Sequence, residues 1–243
     1  LDEDGTTAII GAALKDENGS NAGAAYIFVR NDDGSWPDHA TKKIVASDCE
    51  AGDQFGVSVS ISGDTAIVGA YQEDPHETDS AGSVYIFTRN NVDGSWPEHP
   101  TQKLTASDLD VGDYFGVSVT ISGNTAIVGA YLKDIDSSDI IDAGKAYIFV
   151  RNTDNGRWIE SERSLKVTSQ KHFGDEFGYS VAINEDGTTA IIGAYLEDRI
   201  SASDDNSGAA YIFEHIDIDN DGIANDDDPD IDGDGAINAS DFY

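Results

Sequence analysis

The residues best placed to bind a ligand lie near the C-terminal end of the chain, where acidic side chains recur at alternate positions. Two successive stretches follow the ligand pattern of a calcium loop, with oxygen donors at positions 1, 3, 5, 7, 9 and 12 and glycine at position 6. Position 7 contributes its backbone carbonyl, and the glycine permits the sharp turn that wraps the loop around one ion. We expect about two Ca²⁺ ions in this segment. The predicted ligands are Asp217, Asp219, Asp221, Ile223, Asn225 and Asp228 in the first loop and Asp230, Asp232, Asp234, Ala236, Asn238 and Asp241 in the second.

The acidic segment has a second interpretation as a solvated tail, because residues 217–241 contain no Lys or Arg to pair with the carboxylates. Two loops in the same register favour calcium binding over that alternative. The tandem step of 13 residues resembles thrombospondin type 3 repeats, and residues 234–242 resemble a dockerin loop. The carboxylates of the two loops imply a segment that Ca²⁺ orders and stiffens, and the millimolar Ca²⁺ outside cells would suffice to fill it.

The charge of the whole chain excludes several partners. With 14 Lys and Arg against 47 Asp and Glu, the 243-residue chain carries a formal charge of −33. Nucleic acid binding requires clustered cationic side chains, and anionic lipid would repel this surface. No apolar run approaches the roughly 20 residues of a membrane-spanning helix. The sequence therefore predicts neither nucleic acid binding nor membrane insertion, while a hydrophobic content of 39% predicts a folded core.

The rest of the chain is built from internal repeats. The segment Thr65-Ala-Ile-Val-Gly-Ala-Tyr71 returns at 125–131 and 189–195, and a fourth copy occupies 7–13. Three other blocks recur with it, and they begin at Ala25, Val84, Ala146 and Ala210, at Phe55, Phe115 and Phe177, and at Trp36, Trp96 and Trp158. Each block is short, β-branched or aromatic, and bounded by turn residues, which is typical of a strand. We expect an all-β fold in which each repeat forms one four-stranded blade of a β-propeller.

The same residues resemble a known family. Phe-Gly pairs at 55–56, 115–116 and 177–178 are followed by Gly-Ala pairs at 69–70, 129–130 and 193–194, as in the FG-GAP repeat of integrin α-subunits and bacterial surface proteins. The resemblance covers residues 1 to about 214 and implies a propeller used mainly for adhesion or assembly. Many blades of that family carry a calcium loop in the hairpin between the two motifs. Here that hairpin is a short turn such as 62–64, so we predict no calcium in the blades.

The blades do not add up to a closed ring. The blocks predict three, four, four and three strands in chain order, about 3.5 blades, with residues 1–10 aligned to 183–192. Because the sequence contains no Met, we expect the chain to be a processed product or a fragment. Either the missing strands belong to a longer polypeptide, or neighbouring copies complete each other by strand addition into a dimer or filament. Both interpretations predict open sheet edges.

Several repeated side chains have a structural and a functional interpretation. Seven Asp side chains stand just before or after the strands. We expect them to cap loops by accepting hydrogen bonds from backbone N–H groups rather than to bind a ligand. They are Asp16, Asp74, Asp134 and Asp198, with Asp53, Asp113 and Asp175. The variable loops at 135–143 and 199–207 are the better candidates for specific contacts. The Phe of each Phe-Gly pair should plug the core between sheets. The three Trp side chains either anchor blades, which we favour, or stack on a sugar.

The sequence offers little for catalysis. The five His residues are scattered, and no nucleophile elbow, zinc-protease helix or phosphate loop is present. We therefore predict a non-enzymatic protein with two parts, a propeller over 1–215 and a calcium segment over 216–243. Its expected role is that of a secreted, extracellular or cell-surface structural or adhesion protein, of bacterial type, whose partners are copies of itself or further domains. The alternative is a carbohydrate-binding module of a larger enzyme or scaffold, with glycans or surface proteins as partners.

Overall fold

The computed structural model describes residues 1–74, 80–134, 142–165, 174–197 and 207–214, with the side chains of 162–164 left out of the description. Within these ranges the chain forms fourteen strands in four sheets and no helix. The predicted all-β architecture is therefore confirmed. The predicted calcium segment lies outside the described residues, as do Asp198 and most of both variable loops.

Each sheet is an antiparallel meander whose strands follow chain order. The strands are β1 (Thr7–Ala12), β2 (Ala24–Val29) and β3 (Lys42–Ile44) in the first sheet, β4 (Ser58–Ser62), β5 (Thr65–Ala70), β6 (Ser83–Thr88) and β7 (Gln102–Leu104) in the second, β8 (Ser118–Ser122), β9 (Thr125–Ala130), β10 (Lys145–Arg151) and β11 (Trp158–Leu165) in the third, and β12 (Phe177–Ile183), β13 (Ala190–Ala194) and β14 (Ala209–Phe213) in the fourth. The predicted sequence of three, four, four and three strands is thus confirmed for the described residues.

The tight hairpin between the first two strands of a blade follows directly from the local sequence. In β4–β5, Ser62 pairs with Thr65, so the loop contains only Gly63 and Asp64. Gly63 has a φ of 51°, a left-handed value that glycine adopts without a steric penalty. Gly123 has the same conformation in the next blade, with a φ of 52°. These two-residue turns fix the register that places the two strand motifs side by side.

Three hydrophobic cores lie between successive sheets, and one Phe from each Phe-Gly pair fills each core. Phe55, Phe115 and Phe177 are almost completely buried, as predicted. Phe115 makes edge-to-face contacts with Tyr147 and Phe149, at centroid distances of 5.4 and 5.9 Å. The equivalent rings around Phe55 and Phe177 repeat this arrangement. The plug therefore stabilises its own sheet while it covers the face of the preceding one.

The inner strands of the blades determine how the sheets are arranged. β8 contacts both β4 and β12, and the backbone N–H of Ile121 donates to Ser60 Oγ across the β4–β8 contact at 3.3 Å. The outer strands β7 and β11 are linked instead through the Gln102 side chain, which bonds the Trp158 carbonyl and N–H at 2.7 and 2.9 Å. The described chain is therefore a partial β-propeller.

Two of the three Trp side chains belong to the cores. Trp96 and Trp158 are 5% and 3% exposed, which confirms the anchoring interpretation for both. Trp36 belongs to the incomplete first blade and is half-exposed, with the Arg30 guanidinium 5.0 Å from its ring centroid. A sugar cannot reach the rings of Trp96 and Trp158, so the glycan interpretation of these two residues is wrong.

Candidate assembly surfaces

Successive blades are joined by a backbone connection that recurs at every joint. In each Phe-Gly pair, the N–H of the Phe donates to a carbonyl of the preceding blade. That carbonyl lies just before the glycine that leads into strand β2, β6 or β10. At two joints this contact is a parallel bridge, formed by Gly23 with Phe55 and by Gly144 with Phe177. The N···O distances are 3.0, 2.9 and 3.0 Å for Phe55 to Ala22, Phe115 to Ala81 and Phe177 to Ala143. The joint therefore requires main-chain proximity as well as apolar contact.

A second contact in the joint explains why two glycines recur in each repeat. A Cβ added to Gly69 would lie 2.0 Å from the carbonyl oxygen of Gly116 in the next blade. The same carbonyl accepts a hydrogen bond from Ser58 Oγ at 2.7 Å, and Ser118 repeats this bond to Gly178 at 2.7 Å. The Gly-Ala glycine thus leaves room for the Phe-Gly carbonyl, and the serine two residues after Phe-Gly holds it in place.

In the second and third sheets, one face packs against the next sheet along the chain. The fourth sheet leaves the equivalent face exposed to solvent. Ile191 is 45% exposed, although the equivalent Ile67 and Ile127 are fully buried. Ile212 is 66% exposed, whereas the equivalent Ile86 is 1% exposed. The same side chains that form blade joints inside the molecule therefore remain uncovered on this sheet. We refer to the surface formed by Ile191 and Ile212 as the tail face.

The first sheet exposes the opposite face. Ile10 is 54% exposed, although the equivalent Val68, Val128 and Ile192 are fully buried against the preceding blade. Leu14, just after the same strand, is also exposed. We refer to the surface around Ile10 and Leu14 as the head face. Inside the molecule, a face of the tail type always packs on a face of the head type.

Charged groups surround the apolar joint between the first and second blades. Lys103 Nζ lies 2.7 Å from both Asp48 Oδ2 and Glu73 Oε1. The Tyr85 hydroxyl donates to Asp48 Oδ1 at 2.9 Å, which gives this buried ring a polar partner. Burial raises the pKa of Asp48, but the Lys103 ammonium and the Tyr85 hydroxyl lower it by more. The pKa of Asp48 therefore stays below its usual range. The joint is therefore fixed by an ion pair at its edge as well as by its core.

The next joint holds the same type of network with different charges. Lys133 occupies the repeated position where the first joint has a glutamate, and its Nζ lies 3.1 Å from Asp113 Oδ2. Lys145 Nζ lies 2.8 Å from Asp108 Oδ2, and the Tyr147 hydroxyl donates to Asp108 Oδ1 at 2.7 Å. Both joints therefore pair lysine ammonium groups with carboxylates at their edges, despite the acidity of the whole chain.

Asp53 is a carboxylate of the first joint whose negative charge is unfavourable in the folded protein. It is almost completely buried and accepts a hydrogen bond from the Glu50 N–H at 2.6 Å. Burial, together with the nearby carboxylates of Glu73, Asp74 and Glu50, raises its pKa to about 6. Because the unfolded chain has a pKa of about 3.9 at this position, the folded state binds the proton more tightly. The charged form of Asp53 therefore destabilises the fold above about pH 6.

The raised pKa of Asp53 in the folded protein predicts the effect of Asp53→Asn. Asparagine keeps an acceptor oxygen for the Glu50 N–H and carries no charge, so the variant should be more stable than the parent at pH 7.5, by about 1–2 kcal/mol. The advantage should shrink as the pH falls through 6 and vanish near pH 4, where the parent is protonated. Urea unfolding across this range measures it. The exposed substitution Asp32→Asn removes the same charge and serves as the control; equal pH profiles for both variants would contradict the assignment.

The predicted site residues divide into three groups. The loop-capping interpretation is confirmed for Asp16 and Asp134, which accept from the N–H of Asn21 and Asp142 at 2.9 Å each, and for Asp74, which accepts from Ser80. Asp53 and Asp113 are turn acceptors, as predicted. The twelve predicted calcium ligands lie outside the described residues, where the structure does not test them. Among the residues that it does describe, no group of three or more His, Cys, Asp or Glu is arranged to hold a metal.

Two features of the joints were missed at the level of sequence. The serine that holds the Phe-Gly carbonyl recurs as Phe-Gly-x-Ser at Ser58, Ser118 and Ser180, and this recurrence was the available signal. Exposure of the head and tail faces could not be read from the repeats, because equivalent residues have the same type in every blade. In the described ranges, no segment forms a helix long and apolar enough to cross a membrane.

Comparisons with known proteins agree with this architecture. No curated protein sequence matches the chain. Among solved structures, it is similar to one from Bacteroides uniformis described as a "putative 6-phosphogluconolactonase", with 13% identity, a TM-score of 0.52 and coverage of 89% of this chain and 52% of that chain. A structure of the same description from Bacteroides fragilis matches with 14% identity, a TM-score of 0.49 and coverage of 81% and 49%. The chain spans about half the length of these structures, and the first likeness shows the fold alone.

A family model provides the more specific match. The model of the FG-GAP repeat matches residues 2–28, 39–87, 99–149 and 167–213, which is more than half of the chain. The four matched segments contain all or nearly all of every strand except β11, which lies between the third and fourth segments. The Phe-Gly and Gly-Ala pairs of the match are the residues that meet in the blade joints. The chain belongs to the FG-GAP repeat family.

Proposed function

We propose that the protein is a secreted, non-enzymatic, calcium-binding structural or adhesion protein whose copies assemble end to end. The observation that carries this proposal is the pair of complementary exposed faces at the two ends of the partial propeller. The tail face presents Ile191 and Ile212, and the head face presents Ile10 and Leu14. Inside the molecule, faces of these two types pack on each other at every joint. We propose that the tail face of one copy packs on the head face of the next.

This contact would be weaker than a joint within the chain. Each internal joint contains a Phe plug that touches two rings of its own sheet, whereas Tyr26 and Phe28 of the first sheet are only half-buried. The described first sheet begins at β1 and contributes no Phe plug of this kind to the proposed contact. A weaker apolar contact between two chains of charge −33 needs cations to offset their repulsion.

Calcium is proposed to supply that offset. The ligands would be the two predicted loops at 217–228 and 230–241, which would be ordered by Ca²⁺ and join one copy to the next. This role requires the millimolar Ca²⁺ found outside cells, which supports the proposed extracellular or cell-surface location. Assembly should therefore depend on Ca²⁺, on the tail face and on the head face together.

Sedimentation velocity with Ca²⁺ and with EGTA tests this function. We expect large assemblies in Ca²⁺ that dissociate in EGTA, since the chelator removes the charge compensation. Ile212→Asp should prevent assembly in Ca²⁺, because it places a carboxylate in the centre of the tail face. Val111→Asp is the matched control, since Val111 is 67% exposed and Ile212 is 66% exposed. A parent protein that sediments as a monomer in both conditions would contradict the proposal.

A further inference from the structure

Five tyrosine rings form a continuous row across the second, third and fourth sheets. Successive ring centroids are separated by 5.2, 5.7, 5.5 and 4.3 Å, in the order Tyr71, Tyr114, Tyr131, Tyr179 and Tyr195. The second pair, Tyr114 and Tyr131, is nearly parallel, with an interplanar angle of 28°. The first three rings are half-buried and the last two are exposed. The row therefore presents aromatic surface to solvent over the width of three blades.

The position of the row follows from the blade joints. Tyr71 and Tyr131 directly follow β5 and β9, and Tyr114 directly precedes Phe115 in the joint between them. The joint brings the end of one Gly-Ala strand beside the start of the next Phe-Gly strand, as at Gly69, which lies against the Gly116 carbonyl. Within the third sheet, the Gly116 N–H donates to the Gly129 carbonyl and sets Tyr114 close to Tyr131. Packing of the blades thus sets the spacing of the rings, and a ligand would meet a preorganised surface.

The backbone at Tyr114 indicates that its side chain has a role. Tyr114 has a φ of 57°, in the left-handed region where a residue with a Cβ is strained and glycine is not. Glycine occupies many other left-handed positions in this chain, yet the repeats place Gln54, Tyr114 and Glu176 here. Strain of this kind is retained where a side chain is needed, and it accumulates at binding sites.

Glu176 places an unsatisfied acceptor beside the row. Its carboxylate accepts a hydrogen bond from the Tyr195 hydroxyl, while Oε2 is buried without a hydrogen-bond partner among the described residues. Burial and the nearby Asp142 raise the pKa of Glu176, and the same carboxylate helps burial to raise the pKa of Tyr131 to about 12. A buried acceptor without a donor destabilises the fold, so a ligand that donates a hydrogen bond there would recover that loss.

We propose that the tyrosine row is a binding site for a neutral oligosaccharide. Sugar rings combine an apolar C–H face, which stacks on aromatic rings, with hydroxyl groups, which donate to a carboxylate. The exposed rings of Tyr179 and Tyr195, together with the half-buried rings of Tyr114 and Tyr131, provide the aromatic surface, and Glu176, whose carboxylate must turn outward, accepts one sugar hydroxyl. Since the rings span three blades, the site binds a chain of sugar units rather than one. This assignment is independent of the end-to-end assembly.

The tryptophans offer a contrasting site that the experiment can separate. Trp96 and Trp158 are buried, which leaves Trp36 as the one Trp of the described chain with an exposed ring. Arg30 covers that ring, and the ring lies on the first sheet, which contributes no ring to the tyrosine row. Trp36→Ala therefore serves as a control that removes an exposed aromatic ring without touching the site.

Calorimetric titration of the full chain with neutral hexasaccharides of glucose, mannose and N-acetylglucosamine tests the site. The titrations are made in EGTA, so that assembly does not compete. We expect binding of at least one hexasaccharide, unchanged by Trp36→Ala. Tyr131→Ala should weaken it at least about tenfold, whereas Tyr131→Phe, which keeps the ring, should bind like the parent. Tyr114→Gly should also weaken binding at least about tenfold, while its relief of backbone strain keeps the chain folded.

Two outcomes would overturn the proposal. One is the absence of heat or saturation with every neutral hexasaccharide in the panel. The other is binding that Trp36→Ala abolishes and that Tyr131→Ala and Tyr114→Gly leave intact. Thermal unfolding of each variant accompanies the titrations, so that lost binding is assigned to the site only in a folded chain. Binding of the neutral sugars should also persist at about 0.5 M NaCl, since salt screens charge but not stacking.

Discussion

Replacing Phe115 with alanine should lower the free energy of unfolding by about 3–5 kcal/mol. The side chain is fully buried between the second and third sheets and touches the rings of Tyr147 and Phe149. Alanine would leave a cavity between two β-sheets whose backbones are already joined by hydrogen bonds, so the joint cannot close over it. Urea unfolding followed by tryptophan fluorescence measures the effect, because Trp158 belongs to the same core.

Two further variants make this result specific. Phe115→Leu keeps most of the buried volume and should cost clearly less than the alanine variant. Val111→Ala, four residues earlier and exposed, should change the free energy of unfolding by less than about 0.5 kcal/mol. A Phe115→Ala variant as stable as Val111→Ala would show that the Phe-Gly side chain does not support the joint.

Gly69→Ala should destabilise the protein by at least about 3 kcal/mol, although it adds a single methyl group. Gly69 has an ordinary strand conformation, so the new side chain brings no backbone strain of its own. The added Cβ would instead lie 2.0 Å from the Gly116 carbonyl oxygen and 2.3 Å from Ser58 Oγ. The carbonyl is held by the next blade, so the two sheets would have to separate.

Gly193→Ala is the matched control for this clash. Gly193 occupies the same repeat position in the fourth sheet, where the nearest atom to an added Cβ is Ser180 Oγ at 2.4 Å and every other atom is at least 3.7 Å away. A serine hydroxyl can rotate, so the cost should be about 1 kcal/mol or less. Comparison of the two urea midpoints isolates the contribution of the blade joint. Equal losses in both variants would contradict the joint geometry.

Much of the fold could be predicted from the sequence because every blade repeats the same short motifs. Phe-Gly and Gly-Ala pairs separated by turn residues fix strand type, order and number, and a plug such as Phe55 is apolar in each copy. Loop acceptors such as Asp16 were also predictable, since a repeated polar residue at a strand end satisfies backbone N–H groups. Local chemistry determines all of these features.

The candidate surfaces could not be predicted in this way, because they depend on what lies beside each sheet. Ile67 and Ile191 have the same type and neighbours in sequence, yet one is buried and the other exposed. The tyrosine row could not be predicted for a related reason. Tyr71, Tyr131 and Tyr195 follow the Gly-Ala pairs. Tyr114 and Tyr179 stand at other repeat positions and complete the row. Only the packing of one blade on the next brings them together.

The central claim, that the tail face of one copy binds the head face of the next, is tested most directly by mixing two variants. Ile212→Asp blocks the tail face and Ile10→Asp blocks the head face, and both side chains are exposed in the folded chain. In Ca²⁺, each variant alone should sediment as a monomer, and the equimolar mixture should form a dimer and nothing larger, because only one intact pair of faces remains. A mixture that stays monomeric, or a single variant that still assembles, would contradict the account.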